Sequence, residues 1–175
     1  FTQTPAYALP ERVSWARRCV YETAAPQLMT PEHRGRVFDI EDGIYLVDDS
    51  YNASPLAVRR MLDLLARAPG RRVAVLGEMY ELGDLAEKAH RDAGAQAAAT
   101  CDLLIAVGGA DAGLIADGAR EAGQPNESIL LVEDANRAAE LLGRVMRPGD
   151  VVLVKGSRGV GLDRTVAALT GEGAA

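Results

Sequence analysis

Lysine is nearly missing from this chain: of 19 basic residues, only Lys88 and Lys155 are lysines. Aromatic residues are also few, at 5% of the chain, so a core has to be assembled mainly from Ala, Val and Leu, as α/β domains allow. Only two cysteines occur, Cys19 and Cys101, far apart and without metal-ligand spacing. One disulfide between them is open, but a reduced, cytoplasmic chain is the expectation. No run approaches the ~20 apolar residues of a membrane span, and the N-terminus lacks a signal-peptide pattern. A net charge of −6 disfavours a nucleic-acid role, which needs a basic face. The sequence also has no G-x-x-x-x-G-K-[ST], and hence no phosphate-cradling loop of that type.

What is present is enough for one domain and an appendage in 175 residues. The chain opens on Phe1 rather than Met and is expected to be a piece of something longer. Residues 1–33 are polar and interrupted by proline, with a short amphipathic helix expected over Glu11–Ala24; they read as a linker or the tail of a preceding domain. From Gly35 the pattern becomes regular. Arg36–Ile40 and Ile44–Asp48 are β-rich runs joined by Glu-Asp-Gly, a hairpin signal. Helices are expected at Pro55–Ala68, from Asp84 to about Thr100, at Ala112–Ala122, from Asp134 to Met146, and at Leu162–Thr170. Strands are expected between them at Arg72–Leu76, Leu103–Val107, Ser128–Val132 and Val151–Lys155. This alternation predicts an α/β fold, a doubly wound, mostly parallel sheet of about six strands entered through a short N-terminal hairpin strand. Asp84 with Glu87 reads as a capping box for its helix, and Gly171–Ala175 as a flexible tail.

Three strand ends are polar or glycine-rich: Asp48–Ser54, Gly77–Gly83 and Lys155–Gly159. In a parallel sheet their carboxyl ends share one edge, where ligands of open α/β sheets bind. Asp48-Asp49 sets two carboxylates side by side, a placement that suggests function more than packing. Lys155 and Arg158 are cations flanked by Gly156 and Gly159, suited to an anion or a carboxylate, against the alternative of a solvated turn. Glu78 and Glu81 suit either an ammonium group or plain surface, and His90 suits packing more than catalysis.

Taken together, Asp48-Asp-Ser-Tyr-Asn-Ala-Ser-Pro55, Val75-Leu-Gly-Glu-Met-Tyr-Glu-Leu-Gly83 with His90, and Val152-Leu-Val-Lys-Gly-Ser-Arg-Gly159 closely resemble the C-terminal domain of the Mur ligase family over about residues 34–170. The match is most specific to the branch that adds D-alanyl-D-alanine, and it departs at Ser54, where the family pattern usually has Asn. The resemblance implies a Rossmann-like domain of a three-domain ligase of peptidoglycan synthesis. ATP would phosphorylate the carboxylate of UDP-N-acetylmuramoyl-tripeptide, and the amine of D-Ala-D-Ala would attack the acyl phosphate. ATP and Mg2+ would be held mostly by a central domain lying outside this chain, which by itself is expected to be inactive and to contain no catalytic or metal-binding residue. The resemblance further implies that Asp49 accepts from the ATP ribose hydroxyls, with Arg36 at the nucleotide and Asn52 near adenine or ribose. Lys155, Ser157 and Arg158 would face D-Ala-D-Ala, and Glu78 would line that pocket. The other partner implied is the rest of the same ligase chain, with neither nucleic acid nor membrane involved.

Two other readings compete. A phospho-receiver switch also uses an acid pair at a strand end and a later lysine, but Leu103–Val107 ends in Gly-Gly where a third acid is needed. A stand-alone Rossmann-type nucleotide binder would use the glycine-rich turns at 108–113 and 156–161, although neither follows the first strand of a βαβ unit.

Overall fold

The computed structural model describes residues 33–171. The helix expected at Glu11–Ala24, Cys19, the linker at 1–32 and the tail beyond Gly171 lie outside the described residues. Strands β1 (Arg36–Ile40) and β2 (Ile44–Asp49) form the expected antiparallel hairpin, with Arg36 opposite Asp48. The Glu-Asp-Gly connection is a 3-10 turn in which Asp42 and Gly43 take left-handed φ values of 62° and 71°. Strands β3 (Arg72–Gly77), β4 (Leu103–Val107), β5 (Ile129–Val132) and β6 (Val151–Lys155) complete a six-stranded sheet in the order β1-β2-β6-β3-β4-β5. Every pairing after the hairpin is parallel.

Helices α1 (Pro55–Leu65), α2 (Ala86–Thr100) and α3 (Ala110–Glu121) cover one face, and α4 (Ala135–Val145) and α5 (Asp163–Thr170) the other. Side chains alternate accordingly: Val47, Leu76, Leu104 and Leu153 pack under α1–α3, while Leu46, Val75, Ile105 and Val154 pack under α4 and α5. Covering both faces explains why the central strands read as unbroken apolar runs. Among the described residues, no helix is long and apolar enough to cross a membrane.

Among the described residues, local side-chain caps set two of the five α-helix starts. Ser54 Oγ accepts from Ala57 N at 3.3 Å with Pro55 in the first helical turn, and Asp134 accepts from the backbone N–H groups of Asn136 and Arg137. The Asp84–Glu87 capping box does not form. A 3-10 turn at Gly83–Leu85 runs directly into α2, so Leu85 already has near-helical geometry and no extended N-cap residue exists. Glu87 instead accepts from Arg91 one turn on. The helix beginning α1 stops at Leu65, three residues early, and loosens into i→i+3 turns over Arg67 and Ala68 before Pro69-Gly70.

The Ala-rich helices α2 and α3 touch through glycine. Gly94 of α2 lies against the Ile115 carbonyl, and Gly118 of α3 lies against the Arg91 carbonyl; a Cβ on either would overlap backbone atoms of the other helix. Cys101, at the end of α2, is a buried free thiol donating to Ala97 O. Burial pushes its pKa up to about 11, so it stays a protonated, unreactive thiol.

Candidate functional site

The register brings the three polar loops to one edge. Asp49 at the end of β2 is level with Lys155 at the end of β6, and Lys155 is level with Leu76 near the end of β3. Because β6 is sandwiched between β2 and β3, the loop after it touches both others, as the parallel arrangement predicts.

The two adjacent carboxylates have separate partners. Asp48 is buried and accepts from Ser50 Oγ at 2.6 Å and Ser50 N at 3.1 Å, and from His33 Nδ1 at 2.6 Å. It closes the β2 loop and ties down the segment leading into β1, an attachment reinforced by Tyr51 N donating to His33 O. Asp49 is bound by Lys155, whose Nζ lies 2.5 Å from Oδ2 and also donates to Asn52 O at 2.9 Å. Burial raises the Asp49 carboxyl above its ordinary range and the Asp48 carboxylate adds to this, while Lys155 and, more weakly, Arg34 oppose it. Lys155, expected to face an incoming carboxylate, is 2% exposed and committed to these two acceptors.

Beside Asp49 opens a cleft of about 550 Å³ lined by Arg34, Tyr51, Asn52, Arg60, Met61 and Arg67, among others. Asn52 thus lies where the sequence expectation put it, its Oδ1 accepting from Ala53 N. Arg36 does not line this cleft; it lies over the Phe38 ring, 4.4 Å from the centroid. The cleft's arginine from this segment is Arg34, two residues earlier, which stacks on Tyr51 at 4.4 Å. Nothing local in the sequence marks Arg34, since the hairpin pattern begins only at Arg36. Arg60 and Arg67, seven residues apart, share one face of α1 and its following turn, a spacing visible in the sequence once the cleft is known.

The other two loops are laced together. Ser157, buried, accepts from Tyr80 N at 2.9 Å through Oγ, and its own N–H donates to Glu78 O at 3.0 Å. Gly159 lies under the Tyr80 ring, where a Cβ would come within 2.6 Å of the ring edge. Glu78 Oε1 accepts from Gly109 N at 2.8 Å and Ala112 N at 3.4 Å, capping the start of α3, while Oε2 accepts from the Tyr80 hydroxyl at 3.3 Å. This remote cap lets α3 begin at Ala110, two residues before its sequence-based start. His90 is fully buried; Met79 N donates to its Nε2 at 2.8 Å, and its Nδ1 faces Ala86 O at 2.7 Å. Those partners require a neutral ring protonated at Nδ1, so His90 props the 77–83 loop from below. Arg158 is exposed, and its guanidinium lies 5.5 Å from the Tyr51 ring centroid. Tyr51, in the first loop, therefore carries Arg34 from the segment leading into β1 and Arg158 from the last loop. Chemically this edge can grip: an ionisable acceptor beside a cleft, exposed cations around it, and buried groups that hold both in place.

Residues 33–158 match the family model described as Mur ligase, glutamate ligase domain. The chain is 36% identical over 170 residues to UDP-N-acetylmuramoyl-tripeptide--D-alanyl-D-alanine ligase of Mycobacterium tuberculosis, covering 86% of this chain and 33% of that protein. It is similar in structure to MurF ligase from Thermotoga maritima in complex with ADP, with a TM-score of 0.69 and 31% identity over 83% of this chain and 32% of that one. MurF from Acinetobacter baumannii aligns with a TM-score of 0.73 at 25% identity, over 83% and 32% of the two chains. The chain thus spans about a third of the length of these relatives.

Proposed function

Because the chain belongs to the Mur ligase family, as its glutamate ligase domain, we propose that it is the C-terminal part of an ATP-dependent, cytoplasmic ligase that joins D-Ala-D-Ala to UDP-N-acetylmuramoyl-tripeptide. Residues 34–170 form this domain, and residues 1–33 lead into it from the rest of the ligase. The observation that carries the reading is the shared edge of β2, β6 and β3, where the Asp49 cleft and the Arg158 loop meet across Tyr51. The relatives named for this reaction support it, as does the neighbour that holds ADP. Family membership sets the receiver-switch reading aside.

In this reading Asp49 accepts from the ribose hydroxyls of ATP, and Asn52 and Arg34 flank the nucleotide, with Arg36 behind them on β1. On the far side of Tyr51, Arg158 pairs with the terminal carboxylate of D-Ala-D-Ala, its planar fork suited to two parallel hydrogen bonds. Ser157 and Glu78 shape that pocket by lacing its two loops. The domain holds and orients; activation of the tripeptide carboxylate by phosphoryl transfer belongs to the remainder of the ligase, and closing the two together supplies alignment and excludes water. Magnesium does not fit the residues here. Among the described residues no group of His, Cys, Asp and Glu converges as a metal site, and Asp48 and Asp49 are bonded to His33 and Lys155.

Arg158→Ala in the complete ligase should raise the KM for D-Ala-D-Ala about tenfold, from the loss of one exposed charge-assisted pair, with the KM for ATP nearly unchanged. An unchanged KM for D-Ala-D-Ala removes the assignment. The 175 residues alone should give no ligation product when supplied with all three substrates. Turnover by the isolated chain would contradict the division of labour proposed here.

A further inference from the structure

We propose that Lys155 is a positioning residue for the nucleotide subsite, holding Asp49 and the Asn52 carbonyl in place, and does not contact D-Ala-D-Ala. The inference rests on the reading of Asp49 as the ribose acceptor. Its first support is geometry. Lys155 and Asp49 are level on neighbouring parallel strands, and Nζ bonds at once to Asp49 Oδ2 at 2.5 Å and to Asn52 O at 2.9 Å. Both acceptors belong to the same loop, so one ammonium group fixes the strand end and the turn that follows it. Among the described residues no other side chain or backbone group donates to the Asp49 carboxylate, which leaves Oδ1 as the acceptor for a ligand.

The second support is burial. The Lys155 side chain is 2% exposed, whereas Arg158, three residues on, is open to solvent. A lysine meant to grip an incoming carboxylate would keep its head where that ligand arrives. A buried ion pair seldom gives more stability than apolar side chains of the same volume, so its presence points to specificity of arrangement. The choice of residue agrees. This chain uses arginine for nearly all positive charge, and its other lysine, Lys88, is exposed and pairs only with Asp92 one turn away. At position 155 a compact ammonium with rotatable donors reaches a carboxylate and a carbonyl of one loop at once.

Removing Lys155 also changes when Asp49 is charged. The groups acting on it are Lys155 and Arg34, which favour the carboxylate, and Asp48, which with burial disfavours it. Without Lys155 the opposition weakens, and Asp49 holds its proton to higher pH.

The test uses the complete ligase with Lys155→Met, Asp49→Asn and the double variant, following KM for ATP and for D-Ala-D-Ala and the pH profile of kcat/KM for ATP. Lys155→Met is expected to raise the KM for ATP about tenfold, to leave the KM for D-Ala-D-Ala within about twofold, and to move the acid limb upward. In the Asp49→Asn background the same substitution should change the KM for ATP by less than about threefold, because its effect passes through Asp49. Full additivity in the double variant, or a rise confined to the KM for D-Ala-D-Ala, overturns the proposal. If Lys155→Met does not fold, Lys155→Arg replaces it: a severalfold rise in the KM for ATP with the acid limb unmoved supports positioning, and a rise only for D-Ala-D-Ala overturns it. An Asp49→Asn single variant with an unchanged KM for ATP instead defeats the nucleotide reading itself, a result distinct from failure of the Lys155 role.

Discussion

Asp49→Asn in the complete ligase is expected to raise the KM for ATP by about thirtyfold while leaving the KM for D-Ala-D-Ala within about twofold. The magnitude follows from exchanging charge-assisted hydrogen bonds for neutral ones at a partly buried acceptor, a loss of about 2 kcal/mol, at about 1.4 kcal/mol per factor of ten. Asparagine keeps the shape and can still accept from Lys155, so the domain should fold and the effect should be local. A sharper form of the measurement compares ATP with analogues lacking a ribose hydroxyl. The native enzyme should discriminate between them, and the variant should lose most of that discrimination, because the hydroxyl then has no anionic partner to lose. If the variant discriminates as well as the native enzyme, Asp49 is not the ribose acceptor.

A second large effect concerns stability. In a solvent-facing helix, Gly→Ala is stabilising by up to about 1 kcal/mol, because alanine restricts the unfolded chain. Gly118→Ala should do the opposite and destabilise by about 3 kcal/mol, lowering Tm by roughly 10 °C. The added methyl would overlap the backbone of Arg91 on α2, and no rotamer change can relieve a clash with a main chain. The two helices would have to separate, loosening the alanines of α2 and α3 that fill the core between them. Gly143→Ala in α4 is the matched control: nothing lies within 4 Å of its Cβ position, and it should be neutral or stabilising. Thermal melts of the two variants beside the native chain decide the matter, and equal shifts would refute the close-packing account.

The periodic part of the fold was legible in the sequence. The 36–49 hairpin, the alternation of strands and helices and the Asp134 and Ser54 caps each depend on residues close in the chain, so local pattern suffices. What escaped was decided at long range. Lys155 and Asp49 are 106 positions apart, and only the insertion of β6 beside β2 makes them a buried pair. Glu78 caps a helix 31 residues ahead, so the start of α3 at Ala110 has no signature at its own N-terminus. The Asp84–Glu87 pattern failed for the converse reason, since the 3-10 turn before α2 removes the extended residue that such a box requires. The three loops picked out in the sequence do share one edge of the sheet, but which side chains face the cleft depends on backbone course. Hence Arg34, not Arg36, stands over Tyr51.

The place of β6 in the sheet also dictates an order of events during synthesis and refolding. The last of the described strands is the one that joins the β1-β2 hairpin to the β3-β4-β5 sheet, so until residues 151–155 leave the ribosome those two parts share no strand pairing. Both would wait with one apolar strand edge bare, a template for pairing with other nascent chains. Pairings of such sequence separation are slow to find, which makes insertion of β6 the natural bottleneck of folding. The same event delivers Lys155 to Asp49, so this edge comes into being only when the sheet is whole, and a half-folded chain has no Asp49 cleft to offer.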